Sequence, residues 1–133
     1  MSTIFSKIVA GEIPCYKVAE EENYMAFLDI FPLVKGHVLV IPKKEIDYLF
    51  DLDEETYSGL MAFTRKVALA IPKAIPCKRV GVAVLGLEVP HAHVHLVPLN
   101  SEKDLDFSRP KLQFTSEEFA GIAKAISVAC LSV

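Results

Sequence analysis

The first patterned stretch, YKVAEE (16–21), is followed by NYMAFLDI (23–30), with the polar run Glu21-Glu22-Asn23 between them. Two β-type segments around a polar turn predict a hairpin. FPLVKG (31–36) reads as a loop, with Pro32 and Gly36 as breakers. HVLVIP (37–42) then alternates, setting His37, Leu39 and Ile41 on one face of a strand and Val38 and Val40 on the other.

Beyond KKEIDYLFDLD the period changes. Leu60, Phe63, Thr64, Val67 and Ile71 fall at near-helical spacing, with Asp51 to Asp53 as candidate caps. Pro72 is costly in a helix interior, so the helix is expected to end near Ala70. KRVGVAVLG (78–86) returns to strand composition, with Val80, Val82 and Val84 sharing a face, and 90–98 reads as a strand bounded by two prolines. After the polar connector NSEKDLDFSRPKLQF, Thr115 and Glu118 form a capping box for a last helix from Phe119 to about Leu131. Together these predict one α+β domain over residues 1–133: a five-stranded antiparallel sheet with two main helices.

Composition narrows the function classes. The net charge of −3 shows no basic face of the kind a nucleic-acid module carries. No apolar run approaches the ~18 residues of a membrane span, and the start lacks the pattern of a signal peptide. Cys15, Cys77 and Cys130 are far apart and odd in number, which fits reduced thiols in a cytoplasmic protein rather than a disulfide framework.

The candidate chemistry lies in EVPHAHVHLVPL (88–99), which holds three of the four histidines. In an extended strand His91, His93 and His95 share one face while Ala92, Val94 and Leu96 pack behind. Three imidazoles in register gain nothing in packing over valine, so a structural role explains them poorly. Two functional readings remain open. One is a metal site; four rises of ~3.3 Å part the outer Cα atoms by roughly 13 Å, so His-x-His would need a third ligand such as His37. The other makes the middle imidazole a nucleophile toward phosphorus, with its neighbours holding the substrate.

HAHVHLV (91–97) matches at every position the signature of the histidine triad (HIT) family, His-φ-His-φ-His-φ-φ with φ apolar. Residues 4–44 also resemble the amino-terminal half of Hint-type members. The resemblance implies a homodimer whose sheets join into ten strands. It implies nucleotidyl hydrolase or transferase chemistry at the α-phosphate of a purine nucleotide such as AMP, without a required metal or cofactor. By the same resemblance His93 is the nucleophile, His95 contacts the phosphate and the leaving group, and His91 supports the catalytic ring. His37 falls where Hint-type members carry a further active-site histidine. Asp29 takes the ribose hydroxyls, and Phe27, Leu28 and Ile30 border the base. Read without the family, Phe27 and Ile30 are core residues and Asp29 a turn residue before Pro32. Lys43 and Lys44 are read as solvated and stand outside the site.

The chain departs from the family pattern at the phosphate. Where relatives carry a Gly-Gln-Ser/Thr stretch, this chain has Gly86-Leu87-Glu88, and the phosphate-contacting asparagine or glutamine expected further upstream, near Val80, is also missing. Glu88 either holds a protonated histidine, gives a proton to the leaving group, or turns outward without chemistry. The cysteine-containing zinc site of some bacterial relatives has no counterpart, since Phe5 and Ser6 stand where a cysteine pair would begin. The sequence thus predicts a phosphoramidase-like enzyme with a covalent nucleotidyl-histidine intermediate. Its rivals are a catalytically weak nucleotide-binding module, a dinucleoside polyphosphate hydrolase, and a metal protein using His91, His93 and His37.

Overall fold

A computed structural model describes residues 2–133. A short helix, α1 (Ile4–Val9), leads into β1 (Lys17–Glu20), β2 (Tyr24–Leu28) and β3 (Val38–Pro42). A long helix, α2 (Glu54–Ala74), precedes β4 (Arg79–Ala83) and β5 (Val94–Leu99), and α3 (Ser116–Cys130) closes the chain. Every pairing is antiparallel, and the five-stranded sheet has the order β1-β2-β3-β5-β4. No helix among the described residues is long and apolar enough to cross a membrane.

The expected alternation of β3 has a packing reason on both faces. Val38 and Val40 join Val94 and Leu96 of β5 under α2 and α3, in the main core. Leu39 and Ile41 turn the other way and meet Met25, Phe27 and Phe5 of α1. His95 pairs with Leu39 across the sheet, so its ring belongs to this second face. Chain reversal into β3 uses Gly36 at φ +91, where a Cβ would stand 3.0 Å from the Ile75 side chain. A larger residue there would displace the adjacent His37.

Four expectations need correction. Helix α2 runs through Pro72 to Ala74, four residues beyond the expected end. Fully buried Ile71 sits beside the proline, and Ile75 N–H closes the last turn on the Ile71 carbonyl at 2.8 Å. Packing of that turn outweighs the one hydrogen bond that proline removes. Strand β5 begins only at Val94, because His91 N–H turns back to the Val89 carbonyl (2.8 Å) and Ala92 N–H is taken by Ile46 (2.7 Å). Pro98 lies inside β5, opposite Val80, instead of ending it. Strand β4 stops at Ala83, short of the φ +71 turn at Gly86. The hairpin, the Asp53 cap of α2 and the Thr115–Glu118 capping box of α3 are as expected. Helix α1, six residues long, was too short for its periodicity to predict it.

Candidate active site

A cleft of about 450 Å³ opens on the α1 face of the sheet. Its walls include His93, His95, His37, Asp29 and Glu88, with Phe27, Leu28 and Ile30 of the β2 end. The sequence therefore identified most of its polar lining. His91 is the exception among the triplet: it is fully buried and does not line the cleft. Phe5 meets both His91 (5.8 Å between centroids) and His93 (5.0 Å) edge-on, so α1 covers the first ring while leaving the second accessible.

Hydrogen bonds to the main chain fix which nitrogen of each imidazole carries hydrogen. A carbonyl can only accept, so the 2.7 Å contact from His93 Nδ1 to the His91 carbonyl places the proton on Nδ1. The Nε2 lone pair of His93 is left free. Leu33 N–H donates to His37 Nδ1 at 3.0 Å, which puts the His37 proton on Nε2. That Nε2–H in turn donates to His95 Nδ1 at 2.9 Å, so His95 carries its own hydrogen on Nε2. His91 Nε2–H donates to the Pro42 carbonyl (2.8 Å), and its Nδ1 accepts from the Thr3 hydroxyl (3.0 Å). The second and third rings thus offer opposite functions: an acceptor on His93 and a donor on His95.

Burial favours the neutral form of His37, His91 and His95. Burial pushes His37 down to about 3, aided by His95 and Lys111. Burial likewise lowers His95 to about 4, with the His93 ring adding to it. His91 is lowered by burial, and the Pro42 carbonyl opposes the shift. Burial raises Asp29, although Phe31 N–H donates to its Oδ1 at 2.8 Å and offsets part of the effect. The 3.6 Å approach of Asp29 Oδ2 to His37 Nε2 is accordingly a contact with a neutral ring, not an ion pair.

Asp29, His37 and His95 bring three donor atoms within 4.8 Å of one another, a spacing a metal ion could use. The protonation pattern does not fit one. Leu33 N–H occupies Nδ1 of His37, so Nε2 bears a hydrogen and cannot ligate without giving up two buried hydrogen bonds. The sequence's other triplet, His91, His93 and His37, fails too, since Nε2 of His91 is committed to Pro42.

The remaining residues singled out in the sequence have definite places. Glu88 lines the cleft and makes no ion pair or hydrogen bond with a histidine among the described residues. Lys43 pairs with Glu20 at 2.7 Å, away from the cleft, in keeping with a solvated role. Val80 packs against the main core. The lining residues that escaped the sequence reading include Phe107, whose ring meets His95 edge-on at 4.9 Å, and Lys111. The only signal was a phenylalanine amid a polar connector.

The comparisons agree with this architecture. The HIT domain profile matches residues 10–102. The adenosine 5'-monophosphoramidase hnt1 of Schizosaccharomyces pombe is 37% identical over 129 residues, covering 96% of this chain and 97% of that protein. A Hit-like protein of Bartonella henselae superposes with a TM-score of 0.83 at 32% identity, with 96% of each chain covered. A zinc-bound histidine triad family protein of Mycobacterium smegmatis superposes at 0.82 with 30% identity, covering 99% of this chain and 95% of its own. The chain belongs to the HIT family, in its Hint-like branch.

Proposed function

We propose that this protein cleaves a phosphoramidate or phosphoanhydride bond at the α-phosphate of a purine nucleotide, through a nucleotidyl group carried on His93. The observation that supports this most directly is the His93–His91 carbonyl bond, which leaves Nε2 of a cleft-lining ring as a lone pair. That lone pair attacks the α-phosphorus as the bond to the leaving group breaks. The leaving atom departs with the bonding electrons and takes a proton at the cleft mouth, where Glu88 and solvent reach. His93 then bears positive charge, which its Nδ1–H shares with the His91 carbonyl. His95 Nε2–H donates to the phosphoryl oxygens or the bridging atom as charge moves onto them. Water attacks in the second step, releases the nucleotide and restores the His93 lone pair.

Asp29 binds the ribose hydroxyls, and Phe27, Leu28 and Ile30 border the base. A phosphoramidate of adenosine is the preferred substrate, in line with the monophosphoramidase activity named for the fission-yeast relative. Turnover of adenosine phosphoramidate by the wild type, lost in His93→Ala, tests this reading. A pocket that binds AMP without turnover would instead make the protein a nucleotide-binding module, which Leu87 and Glu88 at the phosphate position favour.

The whole chain, 1–133, serves as a single HIT domain. Two copies join through β4, one of the two edge strands of the sheet, where Val82 is 52% exposed and Val84, just past the strand, 39%. A ten-stranded dimer would cover these valines. Sedimentation at micromolar concentration tests it.

A further inference from the structure

A cleft that holds a nucleotide must compensate phosphate charge, yet this one is poor in cations. Asp29 and Glu88 contribute carboxylates, and burial keeps His37 and His95 neutral at pH 7. The Leu87 side chain has nothing to donate. Among the described residues lining the cleft, Lys111 is the one lysine or arginine.

Its placement is built, not incidental. The next residue, Leu112, donates its N–H to the Pro32 carbonyl at 2.9 Å, which pins the connector to the loop that follows Asp29. Four residues earlier, Phe107 rests edge-on against His95. Lys111 lies between these two anchors in the chain and lines the cleft. Its ammonium donates to the carbonyls of Phe107 (2.6 Å) and Arg109 (3.0 Å). Two of three N–H groups are used, and among the described residues no carboxylate lies within ion-pair distance to neutralise it. Its charge is nevertheless felt inside: it opposes the burial that raises Asp29, and it adds a little to the burial that lowers His37.

We infer that Lys111 binds the α-phosphate of the substrate, supplying from the C-terminal connector the positive charge that the stretch before the triad lacks. The inference rests on the function proposed above. It makes Lys111 a substrate-binding residue and the connector a wall of the phosphate site.

The test is calorimetric binding of AMP and of adenosine to wild type, Lys111→Met and Lys111→Arg. Loss of a charged hydrogen bond predicts AMP binding weaker by about 10- to 100-fold in Lys111→Met. Adenosine affinity stays unchanged, and Lys111→Arg retains most of the AMP affinity. Equal AMP affinity in Lys111→Met and wild type overturns the inference, and so does a parallel loss for adenosine. Wild type that binds neither ligand overturns the nucleotide reading itself, and the inference with it.

Discussion

Nδ1 of His93 donates to the main-chain carbonyl of His91 at 2.7 Å, so the first residue of the triplet orients the second through its backbone. The His91 side chain serves a different purpose. It ties the segment to Pro42 at the end of β3 and to Thr3 ahead of α1. Substitutions of the His91 ring therefore act on the position of the 89–93 turn before they act on chemistry.

The tie to Thr3 makes a stability prediction. Thr3→Val leaves Nδ1 of a fully buried His91 with only the Ser6 hydroxyl, 3.5 Å away and already donating to Glu45, and removes the side chain that caps Ser6 N–H. Loss of the buried hydrogen bond is expected to cost about 1–3 kcal/mol. Thr3→Ser, which keeps the hydroxyl, should recover most of it. Urea unfolding of both variants at pH 7 measures the difference, and equal losses would deny the hydroxyl this role.

Acid should unfold the protein earlier than its net charge suggests. His37 and His95 have folded-state values of about 3 and about 4, below the ordinary 6.5 that they regain on unfolding. The unfolded chain therefore binds more protons as pH falls below 6.5, and stability declines from there. Between pH 7 and pH 5 each of the two should contribute a loss of about 2 kcal/mol. His95→Asn should flatten the wild-type dependence by about one such increment, as read from denaturation midpoints at the two pH values.

The relay from Leu33 through His37 to His95 predicts unequal effects of two amides at one position. His37→Gln keeps a donor near the Nε2 position and so can still hold Nδ1 of His95 as an acceptor. His37→Asn reaches only toward Leu33 and leaves His95 free to change tautomer. The glutamine variant should retain at least about 10-fold more kcat than the asparagine variant, a difference of roughly 1.4 kcal/mol in barrier. Near-equal rates would argue that the relay does not set the His95 donor.

Much of this arrangement was legible in the residue pattern. The alternation of 37–42 identified both faces of β3 because both are buried. The triplet pointed to a site because three adjacent imidazoles gain nothing in packing over valine, although the buried His91 ring ties the segment to its neighbours and does not line the cleft. What escaped depends on contacts distant in sequence. Thr3 meets His91 across 88 residues, and His37 meets His95 across 58. The late start of β5 follows from Ile46 taking the Ala92 amide, which no local period encodes. Lys111 was hidden because a lysine in a polar connector looks the same whether it faces solvent or a cleft.

The His37 protonation state also bears on metal. With Nε2 protonated, Asp29, His37 and His95 should not retain zinc stoichiometrically. Protein dialysed against chelator should keep its turnover, and elemental analysis of protein prepared without added zinc should find far less than one ion per chain. A full equivalent of zinc lost together with activity would contradict the protonation pattern.

The central claim is that His93 carries the nucleotidyl group. Rapid-quench mass spectrometry of wild type mixed with adenosine phosphoramidate tests it most directly, with His93→Ala alongside. The account predicts an added AMP mass on the wild type within the first turnover, mapped to His93 and decaying as AMP appears, with no adduct on the variant. AMP formation without any adduct, or an adduct that persists in His93→Ala, would contradict it.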